Sequence, residues 1–449
     1  MGMEVEEADI IKHVNNNVDL EENMKFEYYL LPPRQQTFYQ KLAFAMNVFG
    51  MGNRTWWGFP PVHKIFVCNV WLMIVVSPMC LILQFVYMYI NFDDLNFRTL
   101  GTMFSIIPAT AVAKIFICMI PAYPRIMKEL MDKIHLNNFI DDEDSFIKKK
   151  LIQVERHTRW ITLCLATFIL FDWLLWIFVP LMNNIKNKQV IEKRLVRMET
   201  CLYLWMPFDY GYDYNTWAIT HAMNVYLVGT GCCVFALYDS INFIFIFHFL
   251  SHIDVLKYKI KTYFATKLDE STTKTRIVDI IKYHSFILST FKDMQAAFGM
   301  NVAVNYAHNL IVDSLLLYQI MIGVSSKLSY VIMMQFHMGG LILMSLALEQ
   351  IRIKTDDLPL LLYNVPWEKM SVRNQKLLLP ILRRMQTPLV FKASGGLRAG
   401  VRPLASILKS TFSYYVMLKS SIGVKQITVL CLSCRHTQEL RAIKVNFLI

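Results

Sequence analysis

The stretch IFVCNVWLMIVVSPMCLILQFVYMYI, residues 65–90, decides the fold class, because it contains no charged residue over its whole length. A bilayer core is about 30 Å thick and an α-helix rises about 1.5 Å per residue, so roughly 20 consecutive apolar residues cross it as a helix. The sequence therefore predicts that residues 65–90 form a transmembrane helix.

Six further apolar runs follow this first one in a chain of 449 residues, of which 55% are hydrophobic. That is more apolar material than the surface of a water-soluble protein of this length accommodates. The first residues are acidic and have no apolar core of a signal peptide, so the first span is expected to direct insertion. We predict an all-α membrane protein with seven transmembrane helices, the other six at residues 100–120, 160–182, 217–249, 298–324, 327–348 and 401–418.

The distribution of basic residues predicts the orientation in the membrane. Most of the 46 Lys and Arg residues lie in the amino-terminal segment 1–64 and in the second, fourth and sixth loops. The positive-inside rule places these segments in the cytosol and, with seven spans, the carboxyl terminus outside. This orientation is the reverse of a G-protein-coupled receptor. Asn53, in the N-x-S/T acceptor Asn53-Arg54-Thr55, then lies in the cytosol and is expected to remain unmodified.

Several other function classes lack support in the sequence. The net charge of +12 is spread between apolar runs rather than gathered in one basic patch, which argues against nucleic-acid binding. Most cysteines lie inside apolar runs, and the pair Cys431 and Cys434 near His436 has no second ligand pair for zinc. No metalloprotease, hydrolase or phosphate-loop motif is present. We therefore predict neither an enzyme nor a bound cofactor or metal.

Two stretches outside the spans have the periodicity of amphipathic helices. Between spans four and five, in the cytosolic helical loop 251–297, apolar residues recur at helical spacing from Ile277 to Met294. In the cytosolic anchor segment 349–400, a second helix is expected to follow Ser371 as its N-cap and to be kinked or interrupted at Pro380. Their apolar faces are expected to pack either against each other or between subunits.

The carboxyl-terminal third resembles the insect odorant receptor family. The run LYNVPWEKMSVRNQKLLLPILRRMQTPLVFKASG from Leu362, followed by STFSYYVML at the end of the last span, resembles the Tyr, Trp and Gln-x-Pro block and the final helix of that family. His284 with Ile287 and Leu288, and the pair Gly339 and Gly340, support the likeness. A gustatory receptor would usually carry a Gln-Phe pair after the final aromatic run, which is lacking here.

The resemblance implies a function and a partner. It implies an odorant-binding subunit of a heteromeric ligand-gated cation channel, assembled as a heterotetramer with a co-receptor in the plasma membrane of olfactory sensory neurons. The short connection between spans four and five argues against the co-receptor itself. A pheromone-type and a general odorant receptor both remain open, and the alternative functions are a gustatory-type receptor channel and a secondary transporter. The tail 423–449 has no counterpart in the family.

The same resemblance suggests where ligand binding and conduction take place. Residues 65–348, spans one to six, would hold a ligand pocket in their outer halves, and residues 401–422 would form the pore-lining helix. The expected ligand contacts are aromatic, apolar and weakly polar side chains: Phe104, Ile107, Trp173, Trp176, His221, Asn224, Leu317, Tyr318, Tyr330 and Met334. The expected pore residues are Lys409, Met417, Ser420 and Ser421.

Four charged residues lie within the first five predicted spans, where ionisable groups are costly and need partners. Lys114 is placed near the cytosolic end of span two, where its stem is expected to snorkel towards water. Asp172, Asp239 and Asp313 lie deeper and are expected to form hydrogen bonds within the bundle. Their candidate partners are His221, Asn305 and His308.

Overall fold

A computed structural model describes residues 27–91, 107–140, 145–265, 269–322, 327–417 and 419. Within these ranges the chain is helical and forms no extended strand; Lys392 and Arg398 make an isolated bridge. The α-helices, numbered here in chain order, are α1 Thr37–Val48, α2 Lys64–Ile90, α3 Ile107–Cys118, α4 Ala122–Glu129, α5 Ser145–Lys186, α6 Lys188–Glu192, α7 Tyr214–Tyr263, α8 Glu270–Ile322, α9 Lys327–Asp356, α10 Leu358–Tyr363, α11 Val372–Met385 and α12 at 401–417.

Helices occupy the described parts of all seven predicted spans. By length and composition, α2, α5, α7 and the helical stretch Tyr330–Lys369 are each able to cross a membrane. A fifth crossing is formed if Ala109–Cys118 and Ala122–Phe139, bent by 67° at their junction, count as one broken span. The remaining predicted spans correspond to α8 and α12. The all-helical membrane fold expected from the sequence is confirmed.

The helix α7 forms the centre of the bundle. In its most apolar window 78% of the residues are buried, whereas the corresponding window of α2 is 17% buried. The helices α3, α5, α8 and α9 pack around α7, and α2 lies at the periphery, where its apolar side chains Trp71, Val75 and Ile82 remain exposed. A peripheral helix with an apolar surface is suited to lipid, whereas a central one packs on protein from every side.

The helices α7 and α8 are longer than a bilayer requires. With 50 and 53 residues, each extends about 75–80 Å at 1.5 Å per residue, and both therefore project beyond the hydrocarbon core. We call the end where Tyr263 and Glu270 lie the stalk end. The opposite end, closed by the connection 187–213 between α5 and α7, is called the loop end.

The stalk end confirms the predicted amphipathic helix. Ile277, Ile280, Ile287 and Met294 of α8 are all buried, with exposures of 0 to 1%, so the apolar face packs within the chain. His284 lies in this part of α8, near the end of α11 that carries Arg384. Burial, together with the nearby Arg384 charge, lowers the pKa of His284 to about 4, so its imidazole is neutral near pH 7.

The structure confirms Ser371 as the N-cap position of α11, but the expected interruption at Pro380 was wrong. Ser371 occupies the N-cap position, but its hydroxyl donates to the Glu270 carboxylate at 2.7 Å and forms no capping bond. Pro380 does not interrupt α11, which runs without a break from Val372 to Met385. Pro380 lies on the exposed face of the helix, where a carbonyl that loses its backbone donor accepts a hydrogen bond from water.

The predicted orientation leads to a direct mapping experiment. Gln189→Thr converts Asn187-Lys188-Gln189, which is exposed at the loop end, into a glycosylation acceptor. Because the positive-inside rule places this loop outside, we expect glycan to be added there and not at Asn53. A gel-mobility shift that is removed by a glycosidase measures this. Modification at Asn53 alone, identified by its loss in Asn53→Gln, would reverse the orientation.

Candidate functional site

A second apolar core lies at the loop end, separate from the core of the stalk. It is formed by α2, α5, α7, α8, α9 and the connection 187–213, and we call it the loop-end cluster. Its buried members are Cys80, Ile169, Trp176, Cys201, Leu202, Leu204, Leu227, Val228, Cys232, Phe235, Ala236, Val312, Leu316, Tyr330 and Met333. Aromatic and branched side chains from four helices converge here, as in sites that hold small apolar ligands.

The connection 187–213 folds over this cluster as a cover. The side chains of Cys201, Leu202 and Leu204 are at most 1% exposed. Asn224 of α7 donates from Nδ2 to Thr200 Oγ1 at 2.7 Å and to the Leu202 carbonyl at 2.9 Å. Sequence reasoning missed this contribution, because loop residues show no hydrophobic periodicity that would indicate burial.

The two predicted tryptophans differ in their surroundings. Trp176 is buried in the loop-end cluster and meets the Tyr330 ring edge-to-face, with ring centroids 6.1 Å apart. Trp173 lies against Gly229 of α7, where a Cβ atom would approach the Trp173 ring to within 2.7 Å. Its indole Nε1 donates to the Val225 carbonyl at 3.1 Å. Because Gly229 has no side chain, the Trp173 ring can pack directly against α7.

His221 and Asn224, predicted as ligand contacts, lie at the junction between α7 and the cover. The His221 ring stacks on the Trp217 ring at a centroid distance of 4.6 Å. Asn224 uses its amide donors on the cover. Asn224 thus ties the cover to α7, and a direct ligand contact by either residue remains a prediction.

An apolar cavity of about 460 Å³, widely open to the outer surface of the bundle, lies between α8 and α9. Two predicted ligand residues, Leu317 and Met334, line it, and so does Gly339 of the glycine pair noted in the sequence. The other lining residues were not singled out by the sequence: Ile320, Val331, Gln335, Met338 and Ile342. Its volume is within the range of small-molecule pockets. Phe104 lies outside the described residues, and so do the side chains of Ile107 and Tyr318, although both positions belong to described helices.

The predicted snorkelling of Lys114 was wrong. Its side chain is fully buried, and Nζ donates to Asn301 Oδ1 and Asn305 Oδ1, each at 2.9 Å. Asp239 lies 3.7 Å away as the counter-charge. The ammonium group also lies 4.7 Å from the centre of the Phe235 ring. Because amides, a carboxylate and a ring face satisfy the charge inside the bundle, the side chain need not reach water.

The three aspartates of the predicted spans have different environments. Asp239 accepts from Asn305 Nδ2 at 3.4 Å, which confirms the predicted pairing with that residue. Within the described ranges, both carboxylate oxygens of Asp313 and Oδ1 of Asp172 are buried without a hydrogen-bond partner. The expected hydrogen bonds of these two residues to His221 and His308 are not formed. Asp239 is thus the aspartate that the bundle compensates with a cation.

The helix α12 carries the predicted pore residues. Lys409 is exposed, as are Ser406 and Ser413 on the same helical face, and Met417 is 54% exposed. Ser420 and Ser421 lie outside the described residues. A polar face that remains exposed in the single chain is consistent with a water-filled path or with contact to another subunit.

Among the described residues, His135, Glu155 and His248 form one cluster with metal-ligand chemistry, with their donor atoms within 4.8 Å of one another. The backbone N–H of Asn137 donates to His135 Nδ1 at 3.2 Å, and that of Leu136 donates to His248 Nδ1 at 3.3 Å. Neutral rings that accept at Nδ1 carry their proton on Nε2, the atom that faces the cluster. The cluster is therefore a hydrogen-bond network in which no imidazole lone pair points at a metal.

The packing of Trp173 leads to a prediction about ligand selectivity. Trp173→Ala removes a ring that lies beside the loop-end cluster, so we expect ligand potencies to change by about tenfold and their rank order to change. Phe171→Ala, on an exposed position of the same helix, is the matched control and should leave the order intact. Dose–response series on surface-expressed receptors measure both. An unchanged order in Trp173→Ala at normal surface expression would make Trp173 a packing residue.

Comparison with known proteins gives the family. Residues 96–412 match the family model described as 7tm Odorant receptor. The chain is also similar to the solved structure of the insect olfactory receptor OR5 from Machilis hrabei, with a TM-score of 0.68 and 13% sequence identity over 85% of this chain and 97% of that one. For the same receptor in complex with eugenol, the TM-score is 0.63 and the identity 14%, over 86% and 98% of the two chains.

No curated protein matches the chain at a significant level. At 13–14% identity, the similarity to the solved receptors shows a shared fold. The family model supplies the further assignment, since it covers most of the chain, from the segment before α3 to α12. It describes receptors and not enzymes. This protein is a multi-pass membrane protein that belongs to the seven-transmembrane odorant receptor family.

Proposed function

We propose that the chain is the odorant-binding subunit of a heteromeric ligand-gated cation channel in the plasma membrane of olfactory sensory neurons. The observation that carries this proposal is the apolar cavity of about 460 Å³ between α8 and α9, adjacent to the loop-end cluster. Such a cavity suits a volatile, largely apolar molecule. The structural similarity to a receptor in complex with eugenol supports the same ligand class.

A chain of contacts links the walls of this cavity to α12. The Tyr306 hydroxyl of α8 lies 3.1 Å from Ser345 Oγ of α9 and accepts from the Gly400 N–H at 3.2 Å. The Val401 N–H donates to Glu349 of α9 at 3.4 Å. A ligand that moves α8 against α9 would therefore displace the start of α12. In our proposal this movement widens a dewetted constriction formed by the last helices of the assembly.

Exposed apolar side chains in the anchor segment 349–400 support the proposal of a partner subunit. Leu360, Val372 and Leu379 lie outside the predicted spans and are 65 to 69% exposed. Exposed apolar side chains in an aqueous compartment are costly, and a protein interface is the usual way to cover them. We propose that the co-receptor covers this surface within a heterotetramer.

Recording from cells tests the function. Cells that express this chain together with a co-receptor should give inward cation currents to a subset of a volatile panel, whereas each subunit without the other should give no current to those ligands. Robust ligand-gated current from this chain alone would contradict an obligate partner. Ligand uptake without current, at normal surface expression, would contradict the channel function and favour a transporter.

The contribution to the gate leads to a further prediction. Met417→Glu places a charge at a position that we propose lies beside the constriction, so it should hydrate the path and raise basal leak or alter ion selectivity. Val416→Glu, a neighbouring exposed position on a different helical face, is the matched control. Truncation after Gly423 should leave gating intact. Unaltered leak and selectivity in normally expressed Met417→Glu channels would remove this residue from the gate.

A further inference from the structure

The cover over the loop-end cluster is fastened to three helices of the bundle. The Trp205 backbone N–H donates to the Leu83 carbonyl of α2 at 3.1 Å. Asn184 of α5 forms two hydrogen bonds with the backbone of Glu199, at 2.8 and 2.9 Å, and Trp217 Nε1 of α7 donates to the same carbonyl at 2.8 Å. A ligand that passed through the cover would have to break such bonds and displace buried apolar side chains. The cover therefore obstructs entry from the aqueous side of the loop end.

The apolar cavity between α8 and α9 opens in a different direction, on the outer surface of the bundle. Along α9 its lining runs from Val331 to Ile342, about 6 to 22 Å from the first residue of that helix at 1.5 Å per residue. This range is within the hydrocarbon thickness of a bilayer, about 30 Å. Leu343 and Leu346, which follow on α9, are 47% and 44% exposed. The mouth of the cavity is therefore suited to face lipid rather than water.

One polar side chain interrupts the apolar lining. Among the described residues that line the cavity, Gln335 alone has N–H and C=O groups in its side chain, and it is exposed. An amide at this depth is costly unless it finds a hydrogen-bond partner. A lipid tail does not provide one, whereas a ligand with a hydroxyl or a carbonyl group does. These lining residues include no charged side chain, so an ionic ligand would lack a counter-charge.

The inner wall of the cavity meets the loop-end cluster, because Ile320 and Met334 line the cavity and also pack against that cluster. We infer that the ligand is a neutral, membrane-soluble molecule that enters this cavity from the bilayer, between α8 and α9, and pairs one hydroxyl or carbonyl group with the Gln335 amide. This inference rests on the odorant-binding function proposed above.

The kinetics of the current test the route of entry. At Gly339, which lines the cavity, the space that a Cβ atom would occupy has no neighbour within 4 Å, so Gly339→Phe narrows the mouth without a clash at Cβ. An obstacle in the path slows entry and exit alike, whereas a lost contact makes exit faster. After a step of octanol, in cells that also express the co-receptor, onset and decay should both slow by about tenfold, the effect of about 1.4 kcal/mol in the barrier. Gly339→Leu, a smaller obstacle, should slow both to a lesser extent.

Two control variants separate this route from the alternative through the cover. Leu343→Phe adds a ring to the exposed surface of α9 beyond the lining and should leave onset and decay unchanged. Tyr210→Phe removes the hydrogen bond from Tyr210 Oη to the Leu204 carbonyl at 2.9 Å and so loosens the cover. If the ligand enters from the bilayer, this change should also leave both rates unchanged.

Matched compounds test the contact with Gln335. The probes are the alkanols from hexanol to dodecanol, each compared with the alkane of equal chain length. Gln335→Leu keeps a side chain of similar size without the amide, so the ratio of alkanol to alkane potency should fall by about tenfold, the change that one hydrogen bond typically produces. Gln350→Leu, on an exposed position of α9 outside the cavity, should preserve the ratio. Because the ratio is taken within one variant, changes in surface expression cancel.

Three outcomes would overturn the inference while the odorant-gated function remains. Native rates in both Gly339 variants together with faster onset and decay in Tyr210→Phe would mean that the ligand enters through the cover, and faster decay in the Gly339 variants would mark a lost contact instead of an obstacle. A ratio that survives Gln335→Leu would show that the amide meets a partner subunit and not the ligand. Currents to hydrocarbons or charged volatiles but to no alkanol would contradict the ligand class. No current for any volatile, at normal surface expression, would reject the proposed function itself.

Discussion

Lys114→Met is expected to destabilise the protein severely, by about 3–5 kcal/mol. The substitution keeps an unbranched side chain of similar length, but it leaves the Asp239 carboxylate without its cation and the Asn301 and Asn305 side-chain oxygens without the donor that Lys114 Nζ provides. The cost arises from the uncompensated charge and acceptors left inside the bundle. Thermal unfolding of the detergent-purified protein and the amount at the cell surface measure it.

Two controls identify the cause. The double variant Lys114→Met with Asp239→Asn removes both charges and should recover a large part of the loss, because replacing a buried pair costs much less than removing one partner. Lys409→Met changes a lysine that is exposed on α12 and should leave the unfolding temperature nearly unchanged. If Lys114→Met is as stable as the native chain, the buried pair does not stabilise the bundle.

Glu155→Leu is the second substitution with a large expected effect, about 3 kcal/mol or more. Glu155 is fully buried, and its carboxylate accepts from Tyr39 Oη at 2.8 Å and lies 2.9 Å from His135 Nε2. Its second oxygen accepts from Arg159 at 3.3 Å. Leucine would leave two buried donors, the Tyr39 hydroxyl and His135 Nε2, without the carboxylate, and would remove one acceptor of the partly exposed Arg159. It would thereby detach α1 from α5.

The loss of stability in Glu155→Leu should affect the segment around α1 in particular, as well as the whole protein. Because Tyr39 ties α1 to this network, limited proteolysis should cut the segment around α1 faster in Glu155→Leu, alongside a lower unfolding temperature. Glu129→Leu removes a carboxylate whose partner Lys133 is exposed, so it should change little. A proteolysis rate around α1 that equals that of the native chain would show that α1 is held by apolar packing alone.

The spans were predictable because the bilayer imposes one length on every crossing. An apolar run such as residues 65–90 has few ways to satisfy its backbone in lipid other than a helix, and α2 occupies those positions. The amphipathic pattern from Ile277 to Met294 was informative because burial at helical spacing is a local property of the sequence. The family resemblance added what periodicity does not contain, namely the kind of protein.

The predicted ligand residues show where this local information ends. Leu317 and Met334 do line the apolar cavity, whereas Asn224 uses its amide donors on the cover. Both kinds of residue have the same pattern in the sequence, an apolar or weakly polar side chain in the outer half of a span. The connection 187–213 has no periodicity at all, so neither its fold nor its partner in α7 was predictable.

Hydropathy and spacing thus determine which segments cross the membrane, which faces are apolar and which charges need a partner. They do not determine the partner. Lys114 meets Asn301 and Asn305 from 187 and 191 positions away along the chain. Such a contact depends on how each helix is rotated about its axis and shifted along it, and packing between helices remote in sequence sets both. A burial pattern within one helix identifies its inner face but contains no information on the register against the next helix.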